Sequence, residues 1–309
     1  MRPIILLLLL FLPAGCLARG DETLVATPLP LSGQNPEMTD VGKIQVLGLW
    51  RLTAPQSWFG GISGIAWDAD EIVAVSDTGS WLRFAVHVDA LGRPQAVGDL
   101  RGGRLGGVGS DKAEGDAEDI TADGNGNWLV AFERRHRVWR YGADLAQGWE
   151  NVALATQTQA LGANEGIESM TRLGDGRLLL IAEGQDDAAT SPAWIGRPGQ
   201  WQSLDFPHHG RFRPTAAAAL PDGGVLVLER RYTLPGGPAM RLRRIAAADL
   251  RGGRLEGEEL VVLEPPLAVD NFEALAVRPR ADGRLVATIL SDDNFNPLQS
   301  TLMLTVLLP

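Results

Sequence analysis

NEGIESMTRLGDGRLLLIAEG, Asn164 to Gly184, is the stretch from which the fold can be read. A short strand-like piece leads into Asp175-Gly176, and an apolar run, Leu178 to Ala182, follows. Asp-Gly between two strand-like runs marks a hairpin, because a primed turn needs positive φ at its central residues. The second run is apolar on both faces, so it belongs inside a structure covered on both sides. Each half carries a glutamate, Glu168 near the start and Glu183 at the end.

The unit recurs at Ser63–Asp77, Glu118–Glu133, Thr215–Glu229 and Glu273–Asp292. Strand-only self-similarity at roughly 50 residues is the signature of propeller blades. A further strand-like piece follows most hairpins: Trp81–Val88, Arg137–Tyr141, Arg241–Ile245 and Leu302–Leu308. The expected fold is therefore all-β, a β-propeller of about five four-stranded antiparallel blades, with room for a degenerate sixth. Lys43–Leu52, KIQVLGLWRL, alternates like a strand, and the chain ends on another, TLMLTVLLP. Pairing the two would close the ring and remove its exposed edges. The propeller is thus expected over residues 43–309.

Residues 1–18 form a short apolar run behind Arg2, too short to span a bilayer, and predict an export signal. Two processing routes stay open. Ala14-Gly15-Cys16 resembles a lipobox, which would anchor the protein to a membrane through Cys16; cleavage after Ala18 would release it to the periplasm. Residues 19–42, with Pro28, Pro30 and Pro36, read as a linker. Cys16 is the sole cysteine, so the propeller holds no disulfide. A net charge of −10 argues against nucleic acid as a partner. A monomer acting on a small molecule is expected.

The candidate chemistry lies in the repeat. Glu118, Glu168 and Glu273 start inner strands, where the other units have Ser63 and Thr215. Asp77, Glu133, Glu183, Glu229 and Asp292 end the second strands, and Asp293 follows the last. In a propeller such positions converge on one axis, and the carboxylates would raise one another's pKa unless a cation sits among them. Calcium accepts six to eight oxygens in irregular geometry, which makes Asp77, Glu118, Glu183, Asp292 and Asp293 its candidate ligands. Asn294 and the cluster Glu114, Asp116 and Asp119 could add ligands to them. Arg230 and Arg231 adjoin the ring, and a guanidinium fork suits phosphate. Glu168, Glu273, Arg230 and Arg231 are accordingly the candidate catalytic residues. The opposing explanation is that these acids pair with their neighbouring arginines and serve the fold alone.

Other signals resolve into turns and loops. HHGRFRP, His208–Pro214, is a near miss of the histidine acid phosphatase motif, with His208 and Phe212 in place of two arginines and no His-Asp dipeptide elsewhere. Asp123–Asn127 opens like an EF-hand loop but has Trp128 where glycine is needed and Arg134 where glutamate is. Arg101–Gly115 is glycine-rich with Lys112 but lacks the context of a phosphate loop, and reads as an inter-blade loop.

Together SGIAWD…VSDTG, AEDI…FER, NEGIES…DGRLLLIAEG, PTAAAALPDGGVLVLERRYTL, DNFEALAV and ILSDDNFNPLQSTLMLTV resemble the bacterial secreted phytase-like family, also described by an esterase-like activity of phytase. The resemblance spans about residues 44–309 and implies an exported β-propeller hydrolysing phosphate or other esters. Ala274 and Ser300 depart from the family pattern. The alternative is a non-catalytic envelope lipoprotein or ligand-binding propeller.

Overall fold

The computed structural model describes residues 23–309, apart from 110 and 186. Five antiparallel sheets follow one another along the chain. Blade one comprises Ile62–Asp68, Glu71–Ser76, Ser80–Val88 and Pro94–Arg104; blade two comprises Ala117–Ala122, Trp128–Phe132, Arg137–Tyr141 and Trp149–Val152. Blade three is Ile167–Arg172, Leu178–Ala182, Thr190–Arg197 and Gln200–Pro207; blade four is Arg213–Ala219, Val225–Thr233, Gly237–Ile245 and Glu258–Leu263. Blade five takes Phe272–Pro279, Leu285–Ser291 and Leu302–Leu307 from the end of the chain and Ile44–Thr53 from its beginning. Among the described residues the ring therefore has five blades, closed by the N-terminal strand, and no sixth.

Every second strand is enclosed because its two faces serve two blade boundaries. Side chains alternate across a strand. Leu179 and Ile181 pack with Val225, Val227 and Ala217 of blade four, while Leu178, Leu180 and Ala182 pack with Leu129, Ala131 and Val138 of blade two. Five such apolar clusters fill the five blade boundaries. That between blades five and one joins Ala274, Leu290 and Met303 to Ile62, Ile72 and Leu82, so closure is a packed interface as well as a strand pairing.

Neighbouring inner strands do not share a ladder, and side chains bridge part of the gap. Asp119 of blade two accepts the Met170 N–H of blade three at 2.6 Å, and Thr171 Oγ1 accepts the Ala219 N–H of blade four at 2.9 Å. These bonds satisfy backbone groups that would otherwise be buried without partners.

Two boundaries differ from expectation. The stretch 19–42 is not a free linker where it is described: Val25–Pro28 pairs with Trp50–Thr53 outside blade five, Asp40–Val41 pairs with Ile44–Gln45, and Leu24 and Leu31 are buried. Apolar residues spaced among the prolines dock this segment; residues 1–22, including the expected signal and Cys16, lie outside the described residues. Arg101–Arg104 is not loop either, but the end of blade one's outer strand, paired with Ser80–Arg83. Its glycines admit Trp58 and Trp81 against the backbone: a Cβ on Gly102 would lie 2.5 Å from the Trp58 ring.

Candidate functional site at the mouth of the channel

All five inner strands carry the same irregularity. In each, the pairing to the second strand slips by one residue near its start, and the extra residue is Ser63, Glu118, Glu168, Thr215 or Glu273. A bulge bends a strand locally and re-aims a side chain. The repeat thus uses one distortion five times, and in three blades it presents a glutamate.

The second ring is set by the opposite strand. Ile62, Ala117, Ile167 and Phe272 face Ser76, Phe132, Ala182 and Ser291, so the next residues, Asp77, Glu133, Glu183 and Asp292, are structural equivalents. In blade four the corresponding pair is Pro214 and Glu229, and the ring position falls to Arg230. The expectation that Glu229 belongs to the acidic ring is therefore corrected by one residue. Glu229 is fully buried and held by Arg241 at 2.7 and 2.8 Å and by Arg243 at 3.0 Å. It is a structural ion triad inside blade four.

Around the mouth the carboxylates outnumber the cations. Lys112, on a short helix before blade two, reaches Asp77 at 2.9 Å and Asp116 at 3.7 Å. Arg134 pairs with Asp116. Arg230 meets Glu273 at 3.0 Å and Glu183 at 3.9 Å, and Asn271 donates to Glu273 at 2.9 Å. Glu133 accepts the Gly166 N–H at 3.2 Å, and Asp292 the Asn294 N–H at 2.6 Å. Glu118 and Glu168 make no hydrogen bond or ion pair among the described residues.

The electrostatics follow from this crowding. Burial, then the charges of Asp116, Glu273 and Glu133, push the Glu118 carboxyl well above the usual range. Burial, then Glu118 and Glu183, do the same to Glu168. Glu118 and Glu168 keep part of their surface open to solvent along the channel, but protein surrounds them on most sides. Burial and Glu273 raise Asp292 to about 8. Glu273 is raised by burial, with Arg230 acting against that.

Two sets of carboxylates bring oxygens within 4.8 Å of one another: Asp116, Glu118 and Glu133, and Glu133, Glu168 and Glu183. Glu133 belongs to both. The donors are all hard oxygens, without nitrogen or sulfur, which is the set calcium prefers.

The candidate residues separate accordingly. Glu118, Glu168, Glu183, Glu273 and Arg230 come together at the mouth, with Asp77 and Asp292 on its rim. Asp293 is used elsewhere: its oxygens accept the N–H groups of Gly61 and Phe295 and the hydroxyl of Thr301 at 3.0–3.1 Å, pinning a loop of blade five. Arg231 sits on the other face of its strand from Arg230, pairs with Glu264 at 2.6 Å and stacks over Phe212. Asp116, expected from sequence only as an added ligand, stands in one cation-holding set, and Glu133, expected in the ring but not among the ligands, stands in both.

Comparison with known proteins matches residues 57–295 to the phytase-like family, described by the esterase-like activity of phytase. No curated protein matches the chain. Among solved structures, an endo-arabinase from Bacteroides thetaiotaomicron aligns at TM-score 0.50 and 11% identity, over 80% of this chain and 93% of that one. A protein of unknown function from Dyadobacter fermentans aligns at 0.46 and 12%, over 94% and 92%. Virginiamycin B lyase from Staphylococcus aureus aligns at 0.43 and 11%, over 93% and 100%. At such identities these likenesses concern the fold alone.

Proposed function

Since the chain belongs to the phytase-like family, we propose that it hydrolyses phosphate or other esters at this acidic mouth, as an exported protein with calcium as its cofactor. The observation that carries the reading is the pair of partnerless carboxylates, Glu118 and Glu168, inside overlapping sets of convergent oxygens. Carboxylates crowded this closely, outnumbering Lys112, Arg134 and Arg230 around them, are held at a cost that a divalent cation would relieve. Asp116, Glu118, Glu133, Glu168 and Glu183 would hold it. Calcium held there would supply positive charge to an ester oxygen as charge develops on it.

The chain's own groups complete the arrangement. Arg230 has its guanidinium at the edge of the acidic sets, anchored by Glu273 and Glu183, and orients an anionic group toward them. Asp292 keeps its proton up to about pH 8 beside Glu273, so a proton can pass from it to a leaving oxygen at neutral pH.

The decisive experiment measures hydrolysis of p-nitrophenyl phosphate and p-nitrophenyl acetate by the full chain in calcium and in chelator. Glu168→Gln should abolish cleavage without lowering the melting temperature. Cleavage insensitive to both changes would remove the mouth as the active site.

A non-catalytic ligand-binding propeller is the second reading. Lys112 favours it, because its ammonium already sits between Asp77 and Asp116 as an organic cation would. Retention of a bound amine without turnover of any ester would support it.

A further inference from the structure

Beside the acidic mouth, between blades three and four, lies a cavity of about 380 Å³ with the opposite character. Arg211, Arg213, Arg230 and Arg231 line it, against Glu183 and Asp187. Two of these arginines come from the His208–Pro214 stretch, which reads as a loop in sequence and has no part in the acidic sets. Four arginines against two carboxylates line this one cavity, a local excess of positive charge in a chain of net charge −10, and such an excess attracts an anion.

The arginines are held differently. Arg213 is 8% exposed and donates to the Phe212 carbonyl at 3.1 Å, so its position is fixed by the backbone of blade four. Arg231 is braced by Glu264 and by the face of Phe212, whose ring also carries Arg241. Arg230 belongs at once to this cavity and to the mouth, through Glu273. Arg211 is exposed and makes no hydrogen bond or ion pair among the described residues. Three guanidiniums are thus anchored and one is available, an arrangement suited to a group with several acceptor oxygens. A tetrahedral phosphate can accept from more than one fork at once.

We propose that this cavity is an oxyanion pocket that recognises a phosphate group of the substrate and fixes which end of it faces the carboxylates. The choice of phosphate rests on the ester-hydrolase reading above, but binding itself does not. Glu183 lines the cavity and also belongs to one cation-holding set. A cation on that set would neutralise the acid facing the anion, so the two ligands should bind with positive coupling, and reciprocally.

The test is calorimetry of inorganic phosphate, glycerol phosphate and acetate against the full chain, with and without calcium. Phosphate and glycerol phosphate should bind one per chain, more tightly with calcium, and acetate should not. Because a charge-assisted hydrogen bond is worth about 1.5–3 kcal/mol, Arg211→Gln and Arg231→Gln should each weaken phosphate at least about tenfold. Arg211→Gln, on an exposed side chain, should leave the melting temperature unchanged and so separates binding from folding. Absence of phosphate binding, or binding untouched by both substitutions, overturns the pocket. Phosphate binding without ester cleavage would keep the pocket and refute the hydrolase. Cleavage with an unchanged KM in Arg211→Gln would do the reverse.

Discussion

Glu168 and Glu229 both lie near the ends of blade strands, yet changing each to glutamine should act in opposite directions. Glu168 has no partner and several acidic neighbours, so Glu168→Gln removes repulsion and should leave the melting temperature unchanged or higher in chelator. Glu229 neutralises Arg241 and Arg243 inside blade four, and Glu229→Gln would leave buried guanidiniums uncompensated, at about 3–5 kcal/mol. Thermal melts of the two variants decide the point. The same crowding sets a pH dependence. Glu118, Glu168, Glu273 and Asp292 have carboxyls raised in the folded state, so the folded chain binds more protons than the unfolded one above the ordinary carboxyl range. Stability in chelator should therefore fall as pH rises from about 4, where unfolded carboxyls titrate, to about 8, where Asp292 loses its proton. Melting curves across that window should show the fall, and calcium should flatten it. A flat profile in chelator would mean that Lys112, Arg134 and Arg230 already balance the mouth.

At the scale of elements, ring closure and the outer segment can be separated by truncation. Ile44–Thr53 is the fourth strand of blade five, and its loss would open that blade and expose the cluster shared with blade one. A chain starting at residue 54 should show no cooperative melt. A chain starting at residue 43 keeps that strand and loses only the docked segment with Leu24 and Leu31. It should still fold, with a lower melting temperature, since each buried leucine contributes roughly 1.5–3 kcal/mol. The closing strand was legible because its alternation is clean and a ring needs a partner for the last strand. The docked segment was not, because its prolines and short strands resemble a tether until the surface that receives them is present. Outer strands such as Gln200–Pro207 were equally hard to see: they are half exposed, and their polar residues blur the period of two.

At the scale of the molecule, the acidic mouth ties blades one, two, three and five together, so a bound cation should stabilise the whole ring. Calcium at a hundred times its dissociation constant adds about 2.7 kcal/mol, which for a chain of this length is a rise of a few degrees. Scanning calorimetry should show one transition that moves with calcium, and no shift in Glu118→Gln/Glu168→Gln. The blade boundaries carry the rest of the stability. Leu180→Ala, at the boundary of blades two and three, should cost about 2–5 kcal/mol, read as a lower midpoint in denaturant with an unchanged slope.

The strand hairpins, the closing strand and the equivalence of Ser63, Glu118, Glu168, Thr215 and Glu273 in a ring of about five blades were determined by sequence alone, because period-two burial and Asp-Gly turns are local signals; the exact blade number and the bulge at each of these positions came from the structure. Which neighbouring residue enters the second ring was decided only by tertiary structure. A one-residue shift reverses the face of every side chain on a strand, and Leu-Glu-Arg-Arg at 228–231 offers several acceptable registers by spacing. Packing selected the one that buries Glu229 on two arginines and turns Arg230 to the mouth and Arg231 away from it. The same holds for Asp293, which loop hydrogen bonds withdraw from the carboxylates, and for Arg211 and Arg213, which line one cavity with Arg230 and Arg231 only once blade four has folded.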